Sequence, residues 1–152
     1  MKKLLLIVLI GFSINASAQL QKEETPKEII IGKTETLGTL NAELSLFISN
    51  EDTLYSFHYR DMNYEKIKVY ETIFFKGNDK LISDLYDMLK KAIEADKGSE
   101  LNIKLGKRGI YIKTEKMLGI KYLYLAIDKF DNVSGYGVCQ LNAKQIDKLF
   151  NK

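Results

Sequence analysis

His58 and Cys139 are the only histidine and the only cysteine in the chain. Any Ser-His-Asp or Cys-His catalytic arrangement must therefore pass through them. His58 falls inside the alternating stretch Thr53 to Arg60, on the parity of Leu54, Ser56 and Arg60. Nothing in the spacing brings it to Cys139 or to a particular serine, which favours a structural or surface histidine. Cys139 sits in an apolar strand-like run and reads as a buried thiol. Zinc sites built from several His and Cys are excluded within one chain by count. Asp128 and Asp131 bracket Lys129-Phe130, which could contribute two oxygens to calcium, but turn chemistry explains them better. Asp84 and Asp87 read as the solvated side of a helix. Gly106-Lys107-Arg108-Gly109 reads as a basic turn, and Gly135-Tyr136-Gly137 lacks the following helix start that a phosphate loop needs. Asn132-Val133-Ser134 matches the glycosylation triplet, but by chance if the export signal is bacterial. No residue is assigned a catalytic role, and no metal or cofactor is implied.

The pattern that remains is aromatic and cationic. Lys66, Lys68, Tyr70, Tyr111, Lys113, Tyr122 and Tyr124 all fall on the strand parity opposite the expected core. Tyrosines interleaved with lysines on a sheet resemble a stacking platform. The same residues also suit half-exposed strands by propensity alone.

The elements that must position these residues can be read from periodicity. The chain opens with Lys2-Lys3, an apolar run from Leu4 to Phe12, and Ala16-Ser17-Ala18. This is the pattern of a cleaved secretory signal over residues 1–18, too short to cross a bilayer as a helix. It predicts an exported, periplasmic or extracellular product with no membrane span after cleavage. The lack of a cysteine after the apolar run argues against a lipid anchor. Lys2 and Lys3 would leave with the signal, so 23 basic against 20 acidic residues become two fewer basic ones and a net +1. So little charge argues against a nucleic-acid role. Residues 19–27 read as a polar leader.

Period-two alternation predicts strands over Glu28–Lys33, Glu43–Ser49, Thr53–Arg60 and Glu65–Lys76, with turns at 50–52 and 61–63. A helix follows from Asn78, with Leu81, Ile82, Leu85, Leu89, Ala92 and Ile93 on one stripe. Strands resume at Leu101–Leu105, Gly109–Thr114, Leu118–Asp128 and Gly135–Leu141. A last helix starts at Asn142, with Gln145 placed for a capping box. The order is ββββα-ββββα. It predicts an α+β domain over 28–152, a mostly antiparallel curved sheet with two helices packed on one face.

Two halves, 28–97 and 100–152, are suggested by a repeat. Asn78, Lys80, Ile82, Leu85 and Tyr86 fall on Asn142, Lys144, Ile146, Leu149 and Phe150 at an offset of 64. Leu54-Tyr55 and Leu123-Tyr124 correspond at 69. The shared positions are a cap and a core stripe, so the repeat speaks to architecture. Doubled units of four strands and a helix resemble the Whirly and Pur-alpha families. The likeness is one of architecture over most of 28–152, without a shared sequence motif. It implies single-stranded nucleic-acid binding on the sheets. Three readings stand together: an exported non-enzymatic binding domain for a protein or carbohydrate of the cell envelope, a Whirly-like nucleic-acid binder, and an enzyme whose site is assembled only in the fold.

Overall fold

The computed structural model describes residues 25–48, 53–95, 98–128 and 135–152. The signal and its cleavage point, the 50–52 turn, Asp131 and the 132–134 triplet lie outside them. Two four-stranded antiparallel sheets are each followed by a helix. The first sheet holds β1 (Lys27–Thr36), β2 (Thr39–Ile48), β3 (Thr53–Arg60) and β4 (Tyr70–Lys76), then α1 (Asp79–Glu94). The second holds β5 (Glu100–Leu105), β6 (Arg108–Met117), β7 (Ile120–Asp128) and β8 (Tyr136–Asn142), then α2 (Ala143–Leu149). Both sheets are ordered as the chain runs, so each connection is a hairpin or a short loop. The expected α+β order ββββα-ββββα is present.

The strands form because their alternation gives each sheet one apolar face. Ala42, Leu44, Tyr55, Phe57, Tyr59, Ile73 and Phe75 point inward from the first sheet. Ile110, Ile112, Leu123, Leu125, Ile127, Cys139 and Leu141 do so from the second. These faces and the buried stripes of both helices make one core. A residual void of about 30 Å³ at its centre is lined only by apolar side chains, among them Leu44, Phe57, Leu85, Leu125 and Leu149. It is a packing gap rather than a ligand site.

Both helices start as their sequences dictate. Asn78 Oδ1 accepts from Leu81 N–H at 3.0 Å. Asn142 Oδ1 accepts from Gln145 N–H at 3.0 Å, and Gln145 Oε1 accepts from Asn142 N–H at 2.9 Å, a full capping box. Each helix then crosses to the opposite sheet. α1 packs on β6 and β7, and α2 packs on β1 and β2 as well as on its own β8. The ends of α1 are tied accordingly. Ala92 O accepts from Thr114 Oγ1 at 2.8 Å and from Ser99 Oγ at 2.9 Å, and Ala95 O from Lys121 Nζ at 2.8 Å. These groups meet carbonyls that every helix leaves unpaired at its C-terminus. The two ββββα halves are therefore interlocked, and neither can bury its own sheet without the other's helix.

The residues related by the 64 offset meet at the crossing. Tyr86 and Phe150 rings pack at 5.5 Å. Tyr86 Oη donates to Asp147 Oδ1 at 3.0 Å, and Lys90 Nζ lies 3.0 Å from the same carboxylate. The Lys90 hydrogen bond is the main cause holding the Asp147 carboxyl below its ordinary value; the Tyr86 bond acts the same way and burial opposes both. A depressed carboxyl stabilises the fold above its unfolded-state pKa and stops doing so as pH falls through the lower folded value. Asp147→Asn should thus cost about 1 kcal/mol at neutral pH, a modest figure because the pair is partly in solvent. The gap between wild type and variant should close in urea melts as pH falls below 3.8.

Two sequence expectations are corrected. Inward residues of β3 and β7 correspond at an offset of 68: Tyr55, Phe57 and Tyr59 match Leu123, Leu125 and Ile127. At 69, Tyr55 faces the core and Tyr124 faces out, so that pairing is out of phase. Lys66 and Lys68 are not on a strand, because β4 begins only at Tyr70. The backbone N–H of Asp61 bonds to Val69 O at 2.9 Å and closes the segment between into a loop. That loop caps the open edge of β8: Met62 N–H bonds to Val138 O at 2.8 Å, and Asp61 Oδ1 accepts from Val138 N–H at 3.0 Å.

Candidate ligand-binding face of the second sheet

Cross-strand register decides which of the aromatic and cationic candidates share a surface. On the outer face of the second sheet, Lys113 lies opposite Tyr124, Tyr122 opposite Glu115, and Tyr111 opposite Ala126. Tyr124 in turn lies opposite Gln140, and Tyr122 opposite Asn142. Tyr111, Lys113, Tyr122 and Tyr124 are all half-buried, flanked by the exposed Glu100 and Asn102 of β5. Four of the seven expected residues thus come together. Lys66 and Lys68 ride on the 61–69 loop, and Tyr70 lies on the outer face of the first sheet.

The face is of mixed charge. Lys113 Nζ is 3.2 Å from Glu115 Oε1, and this hydrogen bond is the leading cause raising the lysine's pKa. Burial raises Tyr111 first, helped by its hydrogen bond to Glu100. Lys113, Tyr111 and Tyr122 therefore each have a carboxylate bonded to them or opposite them, which weakens any field that would draw a phosphate chain.

Beside Tyr122 the sheet face runs into a cleft of about 400 Å³ between the two sheets. Asn41, Arg60, Gln140, Asn142 and Gln145 line it. Arg60 Nε is buried there with no hydrogen-bond partner among the described residues. Gln145 Nε2 and Asn41 Nδ2 both donate to Thr36 Oγ1, at 3.2 and 2.6 Å, which holds the amides in place. A stacking surface thus adjoins a concave wall of amide and guanidinium groups. Sequence parity found the tyrosines, but the cleft was out of its reach. Its walls come from β1, β2, β3, β7, β8 and α2, and only the interlocked fold joins them.

His58 lies on the outer face of the first sheet. Its ring stacks on Tyr70 at 5.3 Å, and Nδ1 is 2.8 Å from Thr72 Oγ1. Cys139 is buried on the inner face of the second sheet, where burial, and secondarily Asp61, push its thiol up to about 12. A thiol so shifted is inert at neutral pH. The histidine therefore lies outside the core on one sheet and the cysteine inside it on the other. Among the described residues no group of three or more His, Cys, Asp or Glu could hold a metal. Asp128, the last residue of β7, accepts from Gly109 N–H near the start of β6 through Oδ2 at 3.1 Å.

A second outward patch was missed. Ile30, Ser45, Ser56 and Phe74 form one row across the first sheet. Ile30 and Phe74 are exposed over a floor of two buried serines, and Phe47 packs edge-on against Phe74 at 6.1 Å. The signal for it is the shared parity of Ser45 with Phe47 and of Ser56 with Leu54.

No described helix is long and apolar enough to cross a membrane. No family model, curated protein or solved structure matches the chain.

Proposed function

We propose that this chain is an exported, non-enzymatic binding domain, and that its ligand is a carbohydrate of the cell envelope held on the second sheet. The observation that carries this reading is the junction of Tyr122 and Tyr124 with the amide-lined cleft. Tyrosine faces suit the C–H surfaces of sugar rings. Asn and Gln amides offer a donor and an acceptor side by side, which matches adjacent hydroxyls. The paired carboxylates favour a neutral ligand over a polyanion. Tyr122→Ala with Tyr124→Ala is expected to lower retention of envelope polysaccharide on the immobilised protein at least about tenfold, on the scale of one to a few kcal/mol per stacked ring. The far-ultraviolet circular dichroism of this variant should stay unchanged. Equal retention by wild type and variant, or none by either, would overturn the carbohydrate reading.

The doubled ββββα order favours a second reading, a single-stranded nucleic-acid binder of Whirly-like build. It predicts salt-dependent binding of oligonucleotides on the sheet face that is lost on Tyr111→Ala with Lys113→Glu. Absence of binding at low salt removes it.

A further inference from the structure

Two hairpins carry the same unusual tip. Leu37-Gly38 joins β1 to β2, with φ of 50° and 71°. Leu118-Gly119 joins β6 to β7, with φ of 50° and 82°. Positive φ at both central residues is the two-residue hairpin geometry that asparagine or aspartate enters most readily at the first position. Leucine has no side-chain hydrogen bond to offer there and is strained by its Cβ. Its usual compensation would be burial, yet Leu37 and Leu118 are 101 % and 98 % exposed. Met117 and Ile120, paired beside the second tip, are also exposed. The two tips occupy hairpins at different places in their halves, β1–β2 in one and β6–β7 in the other, so the repeat does not account for them.

Both tips flank the start of α2. Leu37 and Tyr122 line the cleft that includes Asn142. Ile120 and Lys121 line the neighbouring one, which also includes Asn142. The β6–β7 ribbon runs on past the end of β8, because Asn142 pairs with Tyr122 and the strands continue to the Met117–Ile120 pair. The charges around the tips are cationic. Lys116 and Lys144 are exposed, and Lys116 lies opposite Lys121 across the ribbon. Two of the nearby carboxylates are engaged, Glu115 with Lys113 at 3.2 Å and Glu35 with Lys33 at 3.1 Å, while Glu94 lies 3.9 Å from Lys90.

We propose that this end of the molecule docks on an anionic lipid surface, with Leu37, Met117, Leu118 and Ile120 entering the headgroup–acyl boundary. Separate protruding leucines make a poor protein interface, which needs a continuous complementary core. A fluid bilayer admits them one by one, and adjacent lysines then meet lipid phosphates. The contact is peripheral and reversible, since few side chains enter.

The test uses the full chain carrying Leu118→Cys, labelled with nitrobenzoxadiazole; the native Cys139 is buried and stays unlabelled. Lys107→Cys, at the opposite end of β6, is the matched control. With vesicles of mixed phosphatidylglycerol and phosphatidylcholine, emission from position 118 should shift to the blue and be quenched by nitroxide lipids. Position 107 should not respond. Pure phosphatidylcholine or high salt should weaken the response. Adding Leu37→Asn should weaken partitioning several-fold, up to about tenfold, without lowering Tm, because asparagine suits the turn. No response at 118 overturns the proposal. So does an equal response at 107, which would mean adsorption through another part of the chain. A blue shift elicited by envelope protein but not by vesicles would replace the lipid with a protein groove.

Discussion

Gly32→Val is expected to destabilise the fold by about 3 kcal/mol, the upper end of overpacking costs, and to lower Tm by roughly 10 °C. Gly32 lies opposite Leu44, just past an irregularity in the β1–β2 ladder. A Cβ built on it would sit 2.6 Å from Leu149 O and closer still to Lys148 O. Those carbonyls end α2, so the obstacle is backbone and cannot turn aside. The penalty is a matter of space rather than of backbone conformation, because Gly32 is not among the positive-φ glycines. Gly32→Ala should therefore already show most of the loss. α2 would have to lift from β1, and Ile146, Leu149 and Phe150 would lose burial with it. Chemical denaturation followed by circular dichroism measures the change. A Gly32→Val protein as stable as wild type would show that α2 does not bear on the first sheet.

Asp61→Ala is expected to cost about 3 kcal/mol, because it strips the acceptor from two backbone donors at once. Asp61 is fully buried. Its Oδ1 accepts from Asn63 N–H at 3.0 Å within the loop and from Val138 N–H at 3.0 Å across it. The first bond shapes the loop, and the second fastens it along β8. Without the carboxylate, the Val138 amide is left buried without that partner. Asp61→Asn keeps a carbonyl oxygen and should cost about half as much, since a neutral acceptor is weaker than a charged one. Hydrogen exchange at Val138 and Met62 should accelerate in both variants, and more in the alanine one. Unchanged protection at Val138 would contradict this account of how the edge is closed.

The residues that made the fold legible are those whose meaning is local. Asn78 and Asn142 cap helices wherever their neighbours fold, and the Leu85 and Leu149 stripes mark inward faces without reference to a partner. Parity correctly put Tyr111, Lys113, Tyr122 and Tyr124 outward. What could not be read is which surface each stripe meets. Nothing in Ile82 or Leu89 says that α1 crosses to β6 and β7 rather than lying on its own sheet. Lys66 and Lys68 were misplaced for the same reason. The alternation from Glu65 is strand-like, but the Asp61–Val69 closure and the Asp61–Val138 bond, 77 residues apart in sequence, take the segment for the loop. The Leu37-Gly38 and Leu118-Gly119 turns also escaped notice, because a leucine at a hairpin tip runs against turn chemistry. The amide-lined cleft has the same origin as these misses: six elements meet there, and no sequence window contains them.

The claim that the second sheet binds a ligand through its outer face is tested most directly by photo-crosslinking in living cells. Benzoylphenylalanine would replace Tyr124 in one strain and Lys80, exposed on α1, in another. The account predicts light-dependent adducts of envelope material at position 124 and none at position 80. Adducts of equal yield at both positions, or none at 124, would contradict it.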